Sequence, residues 1–204
     1  QYIEPLTRRY HDRIRLNASV TSVRRKPDQV VVSTADGQSE SFDQVVIAAH
    51  SDQALKMLAD PSDAEQKILG DIPYQENLAI LHTDTSVLPP KKIAWASWNY
   101  HIPEEEFGRI ALTYDMNILQ SLGAEKEYCV TLNLSDVVDR DRTIDTFEYD
   151  HPLYTPESLA ARRRQADVNG VNRTYFCGAY WGFGFHEDGV KSALAVCEHF
   201  GKRL

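Results

Sequence analysis

The chain has 204 residues, of which 42% are hydrophobic and 25% are charged, values typical of a globular protein with one sizeable core or two small ones. It contains no run of about 18 apolar residues, and its first ten residues lack an apolar stretch, so we expect neither a membrane span nor a signal peptide. The net charge of -8 argues against nucleic acid or an anionic membrane surface as a partner.

The cysteines indicate a cytoplasmic protein without a metal site. Cys129, Cys177 and Cys197 make an odd count, and their spacing matches no zinc pattern. Each lies in an apolar segment, so we expect three reduced thiols packed in the core.

The first quarter of the chain predicts an antiparallel β-meander. Residues 14–16 are expected to be extended, and β-branched residues then recur at 20–23 and at 30–32. Asp36-Gly37 is a strong hairpin signal. The apolar run 43–49 predicts a strand buried on both faces.

Helices are predicted to follow this strand. Ser51 can cap the first of them, whose buried side carries Ala54, Leu55 and Leu58. Residues 63–69 predict a second short helix.

The next part of the chain predicts a mostly antiparallel sheet, because four strand-like segments alternate with turns. These segments are 78–82, 93–98, 110–114 and 128–132. Thr155 and Pro156 then open a helix that is expected to reach Val168. A short strand at 173–177, a glycine-rich aromatic loop and a last helix over 188–200 complete the chain.

The segment from Tyr175 to Val190 is the most distinctive feature of the sequence, because it is predicted to join a strand to a helix through a loop with three glycines. Glycines allow a backbone to approach a ligand closely, and the aromatic residues between them supply flat apolar walls. The helix N-terminus offers unpaired N–H groups and a positive dipole end, which favour a bound anion. A reduced flavin is such an anion.

This segment resembles the C-terminal flavin-binding motif of the flavin-containing amine oxidases and their relatives, and its form is similar to a bacterial subgroup of NAD- and FAD-binding proteins. Residues 15–23, the hairpin through Gly37 and residues 42–49 resemble the family's central meander and its return to the nucleotide sheet. The resemblance implies FAD as cofactor, with contacts from Val20, Gly178, Ala179, Tyr180, Gly184, Phe185, His186, Glu187, Asp188, Gly189 and Val190.

Three of these contacts are expected in detail. The backbone of Val20 would contact the adenine, and the backbone of Glu187 would contact the flavin while its carboxylate turns away. The loop 184–187 is expected to present N–H groups to an open cleft and not to protein acceptors.

The implied fold class is α+β: a meander, a mostly antiparallel substrate-side sheet with flanking helices, and a C-terminal helix that faces the flavin. Residues 1–72 and 172–204 would be the remainder of an FAD-binding domain, and 73–171 a substrate-side domain. The chain has no G-x-G-x-x-G motif and no initiator Met. We therefore expect an incomplete fold without the N-terminal Rossmann βαβ unit, with FAD bound by the full-length protein and not by this chain alone.

Trp98, Tyr100, Trp181 and His186 are the expected substrate contacts. The predicted activity is transfer of a hydride from a small-molecule substrate to flavin, and no residue qualifies as a catalytic base. Two alternatives are a flavin-dependent desaturase or isomerase of a lipid or isoprenoid chain, and a flavin-free binding module or partial subunit. A site lined by Leu, Trp and Tyr would favour a lipid, whereas an aromatic cage beside a carboxylate would favour an amine. Oligomeric state is left open.

Overall fold

The computed structural model describes residues 3–102 and 108–203 of the chain. The chain forms two compact units, one made of Gln1–Pro73 with Pro152–Leu204 and the other of Tyr74–His151. The second boundary between the units therefore falls between residues 151 and 152, whereas the sequence predicted it between 171 and 172. That the two units act as an FAD-binding and a substrate-side domain stays a prediction. Within the described ranges, no helix has the length and apolar character needed to cross a membrane.

The helices and strands alternate irregularly along the chain, as expected for an α+β protein. The helices are α1 (Ile3–Thr7), α2 (Ser51–Met57), α3 (Asp63–Gly70), α4 (Met116–Gln120), α5 (Pro156–Arg162), α6 (Gln165–Val168) and α7 (His186–His199). The strands are β1 (Val20–Arg25), β2 (Val30–Thr34), β3 (Ser39–Phe42), β4 (Val45–Ile47), β5 (Tyr74–His82), β6 (Trp98–His101), β7 (Ala111–Asp115), β8 (Cys129–Leu132), β9 (Thr143–Pro152) and β10 (Thr174–Phe176).

The predicted meander is confirmed: β1, β2 and β3 form a three-stranded antiparallel sheet. Gly37 turns the chain between β2 and β3 with a φ of 84°, a conformation that glycine adopts without strain. The segment predicted to be extended at 14–16 is extended at Ile14, with φ of -81° and ψ of 123°, but it forms no strand. A 3-10 turn at His11–Arg13 and a left-handed Asn17 enclose it, so it joins no sheet.

The strand predicted at 43–49 is shorter and less buried than expected. β4 pairs in parallel with β10, and among the described residues this sheet has only these two strands. Val46 is 46% exposed while Ile47 is buried, so the prediction of two buried faces is wrong. Among the described residues, no layer fully covers the face of β4 that carries Val46.

A buried ion pair fastens the meander to α3. The Arg25 guanidinium donates to Glu65 at 2.7 Å and to Asp60 at 2.9 Å, and both the Arg25 and Glu65 side chains are buried. Glu65 also accepts from the backbone N–H of Ser62, which caps α3. Burial alone would raise the pKa of Glu65, but the hydrogen bonds from Arg25 and Ser62 outweigh it and lower that pKa.

Two expectations about helix ends are corrected. The N-cap of α2 is His50, and Ser51 is its buried first residue. Thr155 does cap α5 with Pro156 in the first turn, but the predicted helix to Val168 is broken, because Arg164 donates its N–H to Ala161 three residues back.

The second unit contains a five-stranded sheet in the order β6-β7-β8-β5-β9, and its β5, β6, β7 and β8 pairings are antiparallel as predicted. The strand predicted over 93–98 is wrong. Residues Lys92–Ala94 form a 3-10 turn, the Trp95 indole donates to the Pro89 carbonyl at 2.8 Å, and β6 begins only at Trp98.

The three cysteines are unpaired. Cys129 and Cys177 are buried as predicted, whereas Cys197 is only partly buried. Burial, with Asp115 nearby, raises the pKa of Cys129 to about 12, so this thiol stays protonated and unreactive.

Candidate functional site

The glycine-rich segment lies in the first unit, as a loop fastened at both ends between β10 and α7. The Trp181 indole donates to the Phe176 carbonyl at 3.1 Å, and the Gly178 N–H donates to the Ser192 hydroxyl at 2.9 Å. Phe176 is fully buried. The loop therefore starts from the core and is held against the helix that follows it.

The loop's own packing explains three of its glycines. A Cβ at Gly178 would lie 2.5 Å from the Tyr180 ring, and one at Gly182 would overlap the Asp188 carboxylate. Gly184 has a φ of 87°, which disfavours any other residue. Gly189 differs, because a Cβ there would meet only Ala179, at 3.8 Å and beyond. This chain's own packing does not require Gly189 to be a glycine.

Asp188 organises the loop from inside the first turn of α7. Its carboxylate accepts the N–H groups of Phe183 at 2.9 Å and of Phe185 at 3.1 Å. The Gly184 N–H donates to the Ala179 carbonyl. The expectation that residues 184–187 would all present N–H groups to a cleft is therefore wrong for Gly184 and Phe185.

The two remaining N–H groups of that stretch, those of His186 and Glu187, have no acceptor in the parts of the chain that the structure describes. They are the first two residues of a 14-residue helix, so the positive end of its dipole lies with them. Both residues are exposed. The Glu187 carboxylate lies 3.9 Å from Lys191, one turn along the helix. The Glu187 carboxylate therefore does not cover the backbone N–H groups of His186 and Glu187.

An aromatic stack supports the outer side of the loop. The rings of Tyr154 and Phe183 stack with centroids 6.0 Å apart, and the Arg162 guanidinium lies 4.1 Å from the Tyr154 ring centroid. Arg162 is buried, and its Nε and Nη1 have no hydrogen-bond partner among the described residues. Sequence reasoning missed Tyr154 and Arg162, because no local pattern links them to a loop so far along the chain.

Val20 lies elsewhere in the first unit, at the start of β1. It lines a groove of about 880 Å³ between the meander and residues 12–18, together with Val32, Phe42 and the charged pair Arg15 and Glu40. That Val20 and the loop contact one cofactor stays a prediction.

Trp98 and Tyr100 belong to β6 of the second unit, whereas Trp181 and His186 belong to the first unit. As the two-residue spacing predicts, they share one face of the sheet, and both are exposed. Trp98 packs edge-on against Tyr114 of β7, with ring centroids 5.4 Å apart. Tyr114 is a further candidate contact that became visible only with the pairing of β6 and β7.

Comparison with known proteins gives one family and one fold. The sequence model described as flavin containing amine oxidoreductase matches residues 3–109, a little over half of the chain. No curated protein sequence matches the chain.

Solved structures share the fold at low identity. The CLA-producing fatty acid isomerase from P. acnes is 15% identical with a TM-score of 0.60, and the match covers 90% of this chain and 48% of that one. Cyclohexylamine oxidase from Brevibacterium oxydans IH-35A is 14% identical with a TM-score of 0.59, covering 94% and 50%. Putrescine oxidase bound to putrescine is 9% identical with a TM-score of 0.60, covering 98% and 53%. The chain therefore spans about half the length of the solved structures that it matches.

Proposed function

Because this chain belongs to the flavin-containing amine oxidoreductase family, we propose that it is part of an FAD-dependent oxidoreductase that transfers a hydride from a small-molecule substrate to flavin. The observation that carries the proposal is the start of α7, where the N–H groups of His186 and Glu187 are exposed and unpaired in the described chain. FAD, when bound, supplies the two-electron chemistry that side chains lack.

The residues present fit a flavin at this place. Two N–H groups and a helix dipole form a donor set for an anion, and they are fixed before any ligand arrives. The Glu187 carboxylate lies toward Lys191, so it does not add a negative charge over those donors. Gly189 leaves space beside Ala179 that the protein does not fill itself.

The loop contacts proposed for the cofactor are Gly178, Ala179, Tyr180, Gly184, Phe185 and the residues 186–190. Their roles differ. Asp188 would act through the loop, by holding the N–H groups of Phe183 and Phe185 inward. His186 and Glu187 would act through their free backbone donors. Val20 is proposed as the contact for the adenine part.

Trp98, Tyr100, Trp181 and His186 are the proposed substrate contacts. No catalytic base is assigned, because hydride removal from a neutral amine requires none. A desaturase or isomerase of a lipid-like chain is the second candidate. A flavin-free module or partial subunit is the third candidate. Bound flavin absorbs visible light, so the absorbance of the purified full-length protein distinguishes this candidate from the other two. We also propose a cytoplasmic location, because the three cysteines are free thiols.

The experiment that tests the proposal replaces Gly189 by valine in the natural full-length protein. The free energy of unfolding should change little or rise, since the site has room for a Cβ and valine suits a helix better than glycine. Flavin affinity should fall about tenfold or more, equal to at least about 1.4 kcal/mol, because the side chain enters the proposed cofactor space.

The matched control is Gly123→Val, since Gly123 also has open space around its Cα and lies in the other unit. That variant should keep its full flavin content. Full flavin content in Gly189→Val, at unchanged stability, would exclude α7 as the flavin's anchor.

A further inference from the structure

Arg162 is a buried cation without a carboxylate partner. It is the last residue of α5 in the first unit, and it is only 7% exposed. Its Nη2 donates to the Leu153 carbonyl at 3.5 Å, whereas its Nε and Nη1 are buried and find no acceptor within residues 3–102 and 108–203. Across the same residues, other arginines form ion pairs and Arg162 forms none.

A buried charge without a counter-charge is costly, so its surroundings are informative. The other buried arginine of this unit shows the usual solution, since Arg25 has Glu65 at 2.7 Å and Asp60 at 2.9 Å. Arg162 has instead the face of the Tyr154 ring, whose centroid lies 4.1 Å from its Cζ. An aromatic face attracts a cation but does not neutralise it. The positive charge of Arg162 is therefore left for an anion that another group supplies.

This charge lies beside the glycine-rich loop. The Tyr154 ring stacks on Phe183 with centroids 6.0 Å apart, and the Tyr154 hydroxyl lies 3.3 Å from the position that a Cβ of Gly184 would occupy. One aromatic ring therefore separates the guanidinium from the loop that is proposed to hold the flavin. Because a buried charge is screened less than an exposed one, its field reaches the loop without direct contact.

The other charged groups of the loop and its neighbours are paired or hydrated. The Asp188 carboxylate accepts two backbone N–H groups of the loop, and Glu187 lies 3.9 Å from Lys191. Arg163, the next residue after Arg162, is exposed to water. Arg162 differs from all of these, because it is buried and its charge is not compensated by the described chain.

We propose that Arg162 acts on the cofactor site through its charge, by favouring reduced, anionic flavin over oxidised, neutral flavin. This deepens the proposed function and rests on it, because the loop must hold the flavin. Two electrons and one proton added to the neutral ring leave one negative charge, so a nearby cation stabilises the reduced form alone. For two unit charges about 12 Å apart, an effective dielectric constant of about 20 gives about a tenfold effect on an equilibrium constant.

The test is the midpoint potential of the flavin in the full-length protein. In Arg162→Met the potential should fall by about 30 mV, which is a tenfold loss of the preference for reduced flavin in a two-electron couple. Arg162→Lys keeps the charge and should lose less than half as much. Arg163→Met removes the same charge from the exposed neighbour and should leave the potential unchanged. Where Arg162→Met does not fold, Arg162→Gln removes the same charge and serves instead.

An unchanged potential in Arg162→Met or Arg162→Gln would overturn the proposal. Equal falls in Arg162→Met and Arg162→Lys would also overturn it, because the shape of the side chain and not its charge would then set the potential.

Denaturant unfolding of the full-length protein after removal of flavin separates this role from a structural one. Arg162→Met removes a buried charge that has no counter-charge, so the unfolding midpoint should stay the same or rise. A fall in that midpoint together with an unchanged potential would assign Arg162 to structure alone and overturn the proposal. Wild-type full-length protein that binds no flavin would refute the proposed function, and this inference with it.

Discussion

Replacing Asp188 by alanine removes the carboxylate that holds the N–H groups of Phe183 and Phe185 at 2.9 and 3.1 Å. Loss of a capping side chain costs about 1 kcal/mol, and loss of a negative charge from the first turn adds up to about 1 kcal/mol. The loop is exposed, so hydrogen bonds to water replace part of those that the Asp188 carboxylate accepted. We expect a net loss of about 1.5 kcal/mol, which corresponds to a fall in Tm of about 3–6 °C for a chain of this size.

The assay is thermal unfolding combined with amide hydrogen exchange. In Asp188→Ala, the amides of Phe183 and Phe185 should exchange faster, while that of Gly178, which donates to Ser192, should not change. Glu187→Ala is the matched control, because it removes the same charge one residue earlier from a side chain whose nearest cation, Lys191, is 3.9 Å away. It should cost only the first-turn charge, up to about 1 kcal/mol, and no capping hydrogen bond. Equal effects of the two variants would refute the role of Asp188 in shaping the loop.

Two further predictions concern buried polar groups. Glu65→Gln should cost about 3 kcal/mol, because it leaves Arg25 buried with only part of its counter-charge, and guanidinium chloride unfolding measures this. The pKa of Glu65 is lowered on folding, so its ionisation stabilises the protein above its ordinary pKa of 4.5. That contribution is lost as pH falls through the lower folded value, and the variant should lack this acid-dependent loss. Burial lowers the pKa of His82 from 6.5, so stability should fall as pH drops through 6.5 toward the lower folded-state value. His82→Gln should show a smaller decline over that range, and identical slopes for variant and wild type would contradict the assignment.

Local sequence signals predicted much of the fold. Clusters of β-branched residues and the Asp36-Gly37 turn were enough to predict the meander. The same reasoning misplaced β6, because Trp95 is strand-like in type yet uses its indole to bind the Pro89 carbonyl. It also missed β9, an edge strand of ten residues whose mixed and largely exposed side chains show no buried face.

The candidate site was predictable in its position and not in its hydrogen bonds. The glycine pattern and its family resemblance identified the loop before α7. Which backbone N–H groups of the loop find an acceptor within the protein depends on distances that the sequence does not contain. Asp188 reaches Phe183, which lies five residues earlier, and it also holds the N–H of Phe185, so that within residues 184–187 of the described chain the N–H groups of His186 and Glu187 are the ones without an acceptor. The stack of Arg162 on Tyr154 depends on tertiary packing in the same way.

Amide NMR spectra of the full-length protein, recorded with and without FAD, test whether the backbone donors of His186 and Glu187 bind the flavin. The amide signals of His186 and Glu187 should shift when FAD binds and shift further when it is reduced, because negative charge then develops in front of them. The Phe183 amide, already bonded to Asp188, should move far less. Bound FAD that leaves the His186 and Glu187 signals unchanged in both oxidation states would contradict the claim.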